Sequence, residues 1–189
     1  MKGVIAKLIV SIGAFKAIPL LRSFVRMLAP SIFLDALGVR HGARCRVFNA
    51  NFGTEPWLIQ MGNDVSIGSG VKFITHDGGV WVIRNITGNQ RIDYFAQIKI
   101  GNNVFIGNDA MILPGVSIGD NVVVGAKALV ASDLESNMVY GGVPARAIKT
   151  VQEYMEKKIS SCVETKGMKG EDRRNMICRH LGIKEEGVL

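Results

Sequence analysis

IGNNVF IGNDAM ILPGVS IGDNVV VGAKAL VASDLE, residues Ile100 to Glu135, divides into six consecutive hexads. An aliphatic residue opens each one: Ile100, Ile106, Ile112, Ile118, Val124 and Val130. A second column of small or aliphatic residues runs in step at the fifth place, through Val104, Ala110, Val116, Val122, Ala128 and Leu134, and Gly follows the opening residue at 101, 107, 119 and 125. A period of six is neither the 3.6 of a helix nor the 2 of a strand, and a period sustained over several repeats means stacked equivalent units. Each unit reads as a short strand with its aliphatic residues inside and a tight turn at the next Gly. Three such sides close a triangular coil of about eighteen residues, and the coils stack as a parallel β-solenoid with one continuous aliphatic core. A Gly-rich β-sandwich would instead show alternation of period two along longer runs.

Upstream the hexad is traceable through Met61-Gly-Asn-Asp-Val65 and Ile67-Gly-Ser-Gly-Val71 to Phe73-Ile-Thr-His-Asp77. The register then breaks, because Phe73 and Ile100 are 27 positions apart and 27 is not a multiple of six. Residues 78–98 therefore form an excursion loop, long enough to suspect function. It carries Trp81, Arg84, Asn85, Asn89, Arg91, Asp93, Tyr94 and Phe95, a mixture suited to holding a polar ligand or to packing between subunits. From Leu37 to Gln60 the spacing is looser, with Pro56-Trp57 interrupting a strand, so the early coils are expected to be irregular.

Residues 1–36 are basic and amphipathic, with Lys2, Lys7, Lys16, Arg22 and Arg26 against one acid, Asp35. The longest uncharged run before Arg26 is eight residues, far short of a membrane span. The segment reads as a helix covering the first coil, or as one lying on an anionic membrane surface. Downstream, Tyr140-Gly-Gly-Val-Pro-Ala-Arg146 leaves the solenoid. Thr150 and Glu153 then give a capping-box signature for one helix, and a second is expected over Asp172–Leu181, stopped by Gly182. The expected organisation is an all-β solenoid over 37–149, an N-terminal helical segment over 1–36 and C-terminal capping helices over 150–189.

Over its 189 residues the chain has 48% hydrophobic and 21% charged residues, the balance of one globular domain with appendages. The net charge of +7 favours an anionic ligand or surface, but no basic motif interleaved with aromatics points to nucleic acid. The three cysteines, Cys45, Cys162 and Cys178, read as reduced thiols of a cytoplasmic protein. Cys162, Cys178 and His180 lack metal-site spacing, and no metal is expected. Of the three histidines, His76 stands where the regular coil meets the excursion, a place where an imidazole can take a proton from an attacking alcohol. A satisfied surface histidine is the plainer alternative.

The ordered set of hexads, His76, loop, Pro114-Gly115 coil and Gly142-Val-Pro-Ala-Arg146 exit resembles the hexapeptide-repeat acyltransferases over residues 47–150. Within them it is similar to the galactoside, maltose and xenobiotic acetyltransferase branch and to polysaccharide-biosynthesis O-acetyltransferases. Gly53-Thr-Glu-Pro-Trp-Leu-Ile59 and Phe73-Ile-Thr-His-Asp-Gly-Gly79 look most like that last group. The resemblance implies a left-handed parallel β-helix, against the usual crossover hand. It also implies a homotrimer with active sites between neighbours, acetyl-CoA as donor, a sugar or oligosaccharide as acceptor and direct transfer with His76 as base. Asp77, Glu55 or a backbone carbonyl would orient His76; if the strand continues, Asp77 points away from its neighbour. Ala50-Asn51-Phe52 matches the family's acceptor motif, which makes Asn51 a candidate contact, and Trp81 in the loop is a second.

Matching positions for CoA are Asn108, Ala126, Ala131, Ser132, Arg146 and Lys149, the two cations suiting phosphate. Phe105 stands where the family often has Trp, and Ala131-Ser132 where it has Thr-Lys. The implied location is the cytoplasm, with peripheral contact at the inner face of the membrane through residues 1–36. An N-acetyltransferase of a nucleotide-linked amino sugar, or a non-catalytic solenoid, is the alternative. A serine acetyltransferase would carry a long helical domain ahead of its repeats, and a zinc hydratase would need three imidazoles.

Overall fold

The computed structural model describes residues 19–183 together with Ile5 and Lys7, so most of the amphipathic segment before Pro19 lies outside the described residues. Two compact units are present, residues 1–151 and 152–189. In the first, α1 (Pro19–Leu28) and α2 (Pro30–Leu37) precede β1 (Arg40–His41), β2 (Arg46–Val47), β3 (Ile59–Met61), β4 (Ser66–Ile67) and β5 (Lys72–Phe73). The excursion holds α3 (Val80–Thr87). There follow β6 (Ile98–Ile100), β7 (Phe105–Ile106), β8 (Met111–Ile112), β9 (Ser117–Ile118), β10 (Val123–Val124), β11 (Leu129–Val130), β12 (Met138–Gly141) and β13 (Arg146–Thr150).

The chain visits three sheets in rotation, with strand orders β1-β3-β6-β9, β13-β12-β10-β7-β4-β2 and β11-β8-β5, parallel except for the final β12–β13 hairpin. Pairing of Ile106 with Val124, Ile112 with Val130 and Ile100 with Ile118 makes one circuit eighteen residues in all three sheets. Across the excursion the partners are Ile67 with Ile106, Phe73 with Ile112 and Met61 with Ile100, each 39 apart. The excursion thus adds twenty-one residues without displacing any ladder. The first circuit takes twenty residues, Val47 pairing with Ile67, and Pro56–Leu58 forms a 3-10 turn within it. The last circuit takes sixteen, Val124 pairing with Tyr140.

Both columns read from the hexads are buried, none more than 4% exposed. The Gly column follows from the closeness of the coils: a Cβ on Gly107 would lie 2.5 Å from the Ala126 nitrogen and 2.7 Å from the Gly125 carbonyl carbon. Corners are closed by ladders of short polar side chains. Asn103 donates to Asn121 at 2.8 Å and Asn121 to Asn137 at 2.9 Å, and all three residues have positive φ, where Asn is well tolerated. Asp120 Oδ1 accepts from the Asn102 backbone N–H at 2.5 Å, a bond that holds its carboxyl below the usual carboxylate range.

Val25, Phe33 and Leu34 of α1 and α2 belong to the same core cluster as the coil residues, and Phe33 meets Phe52 edge-on at 6.3 Å. This packing is that of a cover on the first coil. Gly38, at φ 83, ends α2 by donating to Asp35 O while Val39 donates to Leu34 O. In the second unit, α4 (Val151–Ile159) runs over from the first and α5 (Gly170–Leu181) ends at Gly182, φ 64, with Ile183 donating to Cys178 O. Glu171 and Asp172 in the first turn of α5, and Arg179 and His180 in its last, match the helix dipole. No helix among the described residues is long and apolar enough to cross a membrane.

Candidate active site

Excursion and coil meet at a short antiparallel neck. Ala96 donates its N–H to Thr75 O at 2.9 Å, Asp77 donates to Tyr94 O at 3.1 Å, and His76 bridges to Phe95. The neck fixes the backbone of His76 and sets its ring edge-on to Phe95, 6.1 Å between centroids. His76 Nδ1 lies 3.0 Å from Glu55 Oε2. Thr75, wholly buried, donates its hydroxyl to the same oxygen at 2.7 Å, and Thr54 donates to Oε1 at 2.6 Å.

These contacts set the protonation pattern. The Thr54 hydroxyl first, then that of Thr75 and the imidazole, hold the Glu55 carboxyl down at about 2, with partial burial opposing them. Glu55 is therefore a carboxylate at near-neutral pH, and a carboxylate only accepts hydrogen bonds. Nδ1 of His76 must carry the hydrogen, which leaves the Nε2 lone pair free to take a proton. The imidazole is 46% exposed and the Glu55 side chain 16%, so the ring faces solvent while its carboxylate partner is mostly sheltered.

Of the two acids considered, Glu55 makes this contact. Asp77 Oδ1 instead accepts from the Gly79 N–H at 2.8 Å, and Asp77 O accepts from Val80 N, so Asp77 shapes the start of α3. A cavity of about 290 Å³ opens at the pair, lined by Glu55, His76, Asp77, Arg84, Asp93 and Tyr94 among others. Trp81 does not line it; that side chain is 64% exposed on α3 beside Val82, Ile83 and Ile86, all exposed. Asn51 faces another cavity, with Phe33 and Leu37. Its Oδ1 accepts from the Gly53 N–H at 2.8 Å, which orders the turn that delivers Glu55.

The positions matched to CoA fall on two successive corners and on the exit strand. Asn108 and Ala126 lie at the corner between β7 and β8 and its equivalent one circuit on, and Asn108 Oδ1 accepts from the Ser69 N–H at 3.0 Å. Ala131 and Ser132 are exposed at the next corner. The exit turn folds over this edge, Ala145 donating to Leu129 O and Leu129 to Gly142 O. Gly141 pairs with Arg146, Tyr140 with Ala147 and Val139 with Lys149, leaving Ile148 as an extra residue in β13. Residues paired across strands share a face, and Gly141 and Val139 are two apart, so the bulge brings Arg146 and Lys149 onto one face. An unbulged strand would set residues three apart on opposite faces. No group of three His, Cys, Asp or Glu able to hold a metal occurs among the described residues.

Sequence reasoning missed three parts of this arrangement: the Thr54 and Thr75 clamps, the ion pair of Arg84 with Asp93, and α3 itself. Gly88 in the left-handed region closes α3 and was the available signal for it.

Residues 97–132 match the family described as bacterial transferase hexapeptide (six repeats). The chain is 49% identical to protein CapG of Staphylococcus aureus over 141 residues, 73% of this chain and 81% of that protein. It is 37% identical to galactoside O-acetyltransferase of Escherichia coli strain K12 over 111 residues, 57% of this chain and 53% of that one, about half of the relative's length. Among solved structures, a galactoside acetyltransferase in complex with coenzyme A matches with a TM-score of 0.51 at 28% identity, over 63% of this chain and 58% of that one. A hexapeptide-repeat-containing acetyltransferase from Vibrio cholerae matches with a TM-score of 0.53 at 27% identity, over 60% and 63%.

Proposed function

The chain belongs to the hexapeptide-repeat acyltransferases, and from that premise we propose that it is an acetyl-CoA-dependent O-acetyltransferase acting on a sugar hydroxyl in surface-polysaccharide biosynthesis. The observation that carries the reading is the hydrogen-bonded Glu55–His76 pair at the mouth of a cavity where the coil meets the excursion. His76 Nε2 takes the proton of the acceptor hydroxyl as its oxygen attacks the thioester carbonyl. Glu55 holds the ring and balances the imidazolium. As the tetrahedral adduct collapses, the C–S bond breaks and the imidazolium returns the proton to the departing thiolate, so the acetyl group moves directly to oxygen. Arg146 and Lys149, on one face of β13, suit the phosphates of the donor.

Three parallel sheets visited in rotation support a β-helix, and the family relation supports its left hand. The exposed apolar residues of α3 support a homotrimer in which the site is completed by a neighbour, with Asn51, Trp81, Asn108, Ala126, Ala131 and Ser132 lining the shared cleft. The basic stretch 1–36 supports a cytoplasmic protein touching an anionic membrane surface. The relation to CapG and to galactoside O-acetyltransferase supports a sugar acceptor.

Acetyl-CoA turnover with a sugar panel, read by product mass, tests the proposal. His76→Ala is expected to retain CoA binding and lose at least about a hundredfold in kcat. Wild-type rates in that variant would remove His76 as the base. Preferred transfer to the amine of a nucleotide-linked amino sugar would replace the O-acetyl reading with N-acetylation.

A further inference from the structure

The cavity at His76 carries three carboxylates, Glu55, Asp77 and Asp93, against one guanidinium, Arg84. Each charge has a distinct occupation. Glu55 is held by Thr54, Thr75 and His76, and Asp77 by the Gly79 N–H. Arg84, projecting from α3, donates Nε–H to Ile92 O at 2.8 Å and Nη2–H to Asp93 Oδ1. Among the described residues neither Arg84 Nη1 nor Asp93 Oδ2 has a further hydrogen-bond partner. The guanidinium is planar and is held at two of its nitrogens, and an unused donor and an unused acceptor remain on the pair. The Arg84 side chain is 23% exposed and that of Asp93 55%, so the pair is fixed on one side and open on the other.

We infer that Arg84 and Asp93 form an acceptor-recognition pair selecting a neutral sugar with adjacent hydroxyl groups over one that carries a carboxylate. The inference rests on the acetyl-transfer reading above and narrows its substrate class. One hydroxyl of a vicinal diol accepts from Nη1–H while its neighbour donates to Oδ2, and the pair stands in the same cavity as the base that takes the reacting proton. A sugar carboxylate meets an arginine already neutralised by Asp93 and the charges of Glu55 and Asp77, and like charges confined in one cavity repel. The pair also ties α3 to the returning limb of the excursion, so a purely mechanical strap is the alternative that the test must separate.

Initial rates with methyl hexosides, their monodeoxy analogues and the matching hexuronides provide that test. Wild-type protein is expected to prefer the best hexoside over the analogue lacking the hydroxyl next to the acetylated one by about ten- to a hundredfold in kcat/KM, the range for a hydrogen bond to a charged group. It is expected to acetylate the hexuronide at least about tenfold more slowly. Asp93→Asn should bring the hexoside-to-deoxy ratio to within about threefold and raise hexuronide turnover, leaving KM for acetyl-CoA and the melting temperature near wild type. Arg84→Lys keeps the charge but not the fork, and should lose diol selectivity while still discriminating against the hexuronide. Equal losses on hexoside and deoxy analogue, with a lowered melting temperature, would reduce the pair to a strap and overturn the inference. A wild-type enzyme indifferent to the neighbouring hydroxyl would do the same without any variant. Transfer with an unaltered ratio in Asp93→Asn removes the inference alone, whereas absence of transfer to every sugar removes the proposed function and the inference with it.

Discussion

Glu55→Gln isolates what the carboxylate contributes beyond geometry. A glutamine fits the same contacts: its carbonyl at the Oε2 position still accepts from Thr75 and His76, and its amide at the Oε1 position donates to a Thr54 hydroxyl rotated to accept. The tautomer and aim of His76 are kept, and the negative charge is lost. At the 3.0 Å separation of Nδ1 and Oε2, an imidazolium–carboxylate pair is worth about 3 kcal/mol at an effective dielectric of about 40 and about 1.4 kcal/mol in water-like surroundings. His76 is 46% exposed, so its surroundings lie between these limits. The expected loss is about ten- to a hundredfold in kcat, with KM for acetyl-CoA unchanged, since Arg146 and Lys149, the proposed donor contacts, are untouched.

Steady-state kinetics of wild type, Glu55→Gln, Glu55→Ala and His76→Ala measure this directly, with a CoA thermal-shift titration to confirm folding. Glu55→Ala also leaves both threonine hydroxyls and the imidazole without their acceptor, so it should fall below Glu55→Gln. A Glu55→Gln enzyme within twofold of wild type would refute the charge argument. A loss equal to that of His76→Ala would show that the amide misplaces the ring, and the electrostatic account would fail in the other direction.

Glu55 also links stability to pH. Its carboxyl is held at about 2 in the folded chain against an ordinary 4.5, so its contribution is fully present above about 4.5 and is lost as pH falls toward 2. Asp64, held down by Arg44, and Asp120, held down by Asn102, add acid sensitivity of the same sign, so the difference between wild type and Glu55→Gln in urea melts at pH 6, 4.5 and 3 is the informative quantity; a difference that does not shrink on acidification would contradict the assignment. Gly107→Ala forces a methyl to 2.5 Å from the Ala126 nitrogen, and since both partners are backbone of stacked coils, a loss above about 3 kcal/mol is expected in denaturant melts. A loss under about 1 kcal/mol would mean that the coils separate easily. Arg146→Ala and Lys149→Ala are each expected to raise KM for acetyl-CoA several-fold with little change in kcat, and a kcat effect without a KM effect would place these cations away from the donor.

The hexads made the regular circuits legible because each column position meets the same neighbours one circuit away, and all twelve column residues from Ile100 to Leu134 are buried. The same logic reaches less far where a circuit changes length. The twenty-residue first circuit and the sixteen-residue last one depart from eighteen at the irregular early turn and at the exit, where no aliphatic column records the step. Helix α3 was hidden for another reason: Val80, Trp81, Val82 and Ile83 are weak helix formers, and the segment is set by Asp77 and Gly88 at its ends. Asn51, singled out by resemblance, and Trp81, singled out by its place in the loop, line no part of the His76 cavity within one chain.

Glu55 shows how much a circuit length is worth. Choosing between Asp77 and Glu55 was undecidable from sequence distance, since one is adjacent to His76 and the other twenty-one positions before it. Measured in circuits, the order reverses. Asn51 bridges Lys72 twenty-one residues on, and the same step carries Glu55 to His76, so Glu55 sits one circuit below the Thr75–His76 corner. Asp77 has already turned into the excursion and is committed to Gly79. All three ladders close across the excursion with a common shift of 39, so the coil that carries His76 stacks on the next one as regularly as it would without the insertion. The imidazole is therefore carried by the excursion's neck, while the carboxylate that holds it is carried by the coil below. On the proposed reading, that division sets a fixed proton acceptor beside a loop whose side chains are free to differ with the sugar.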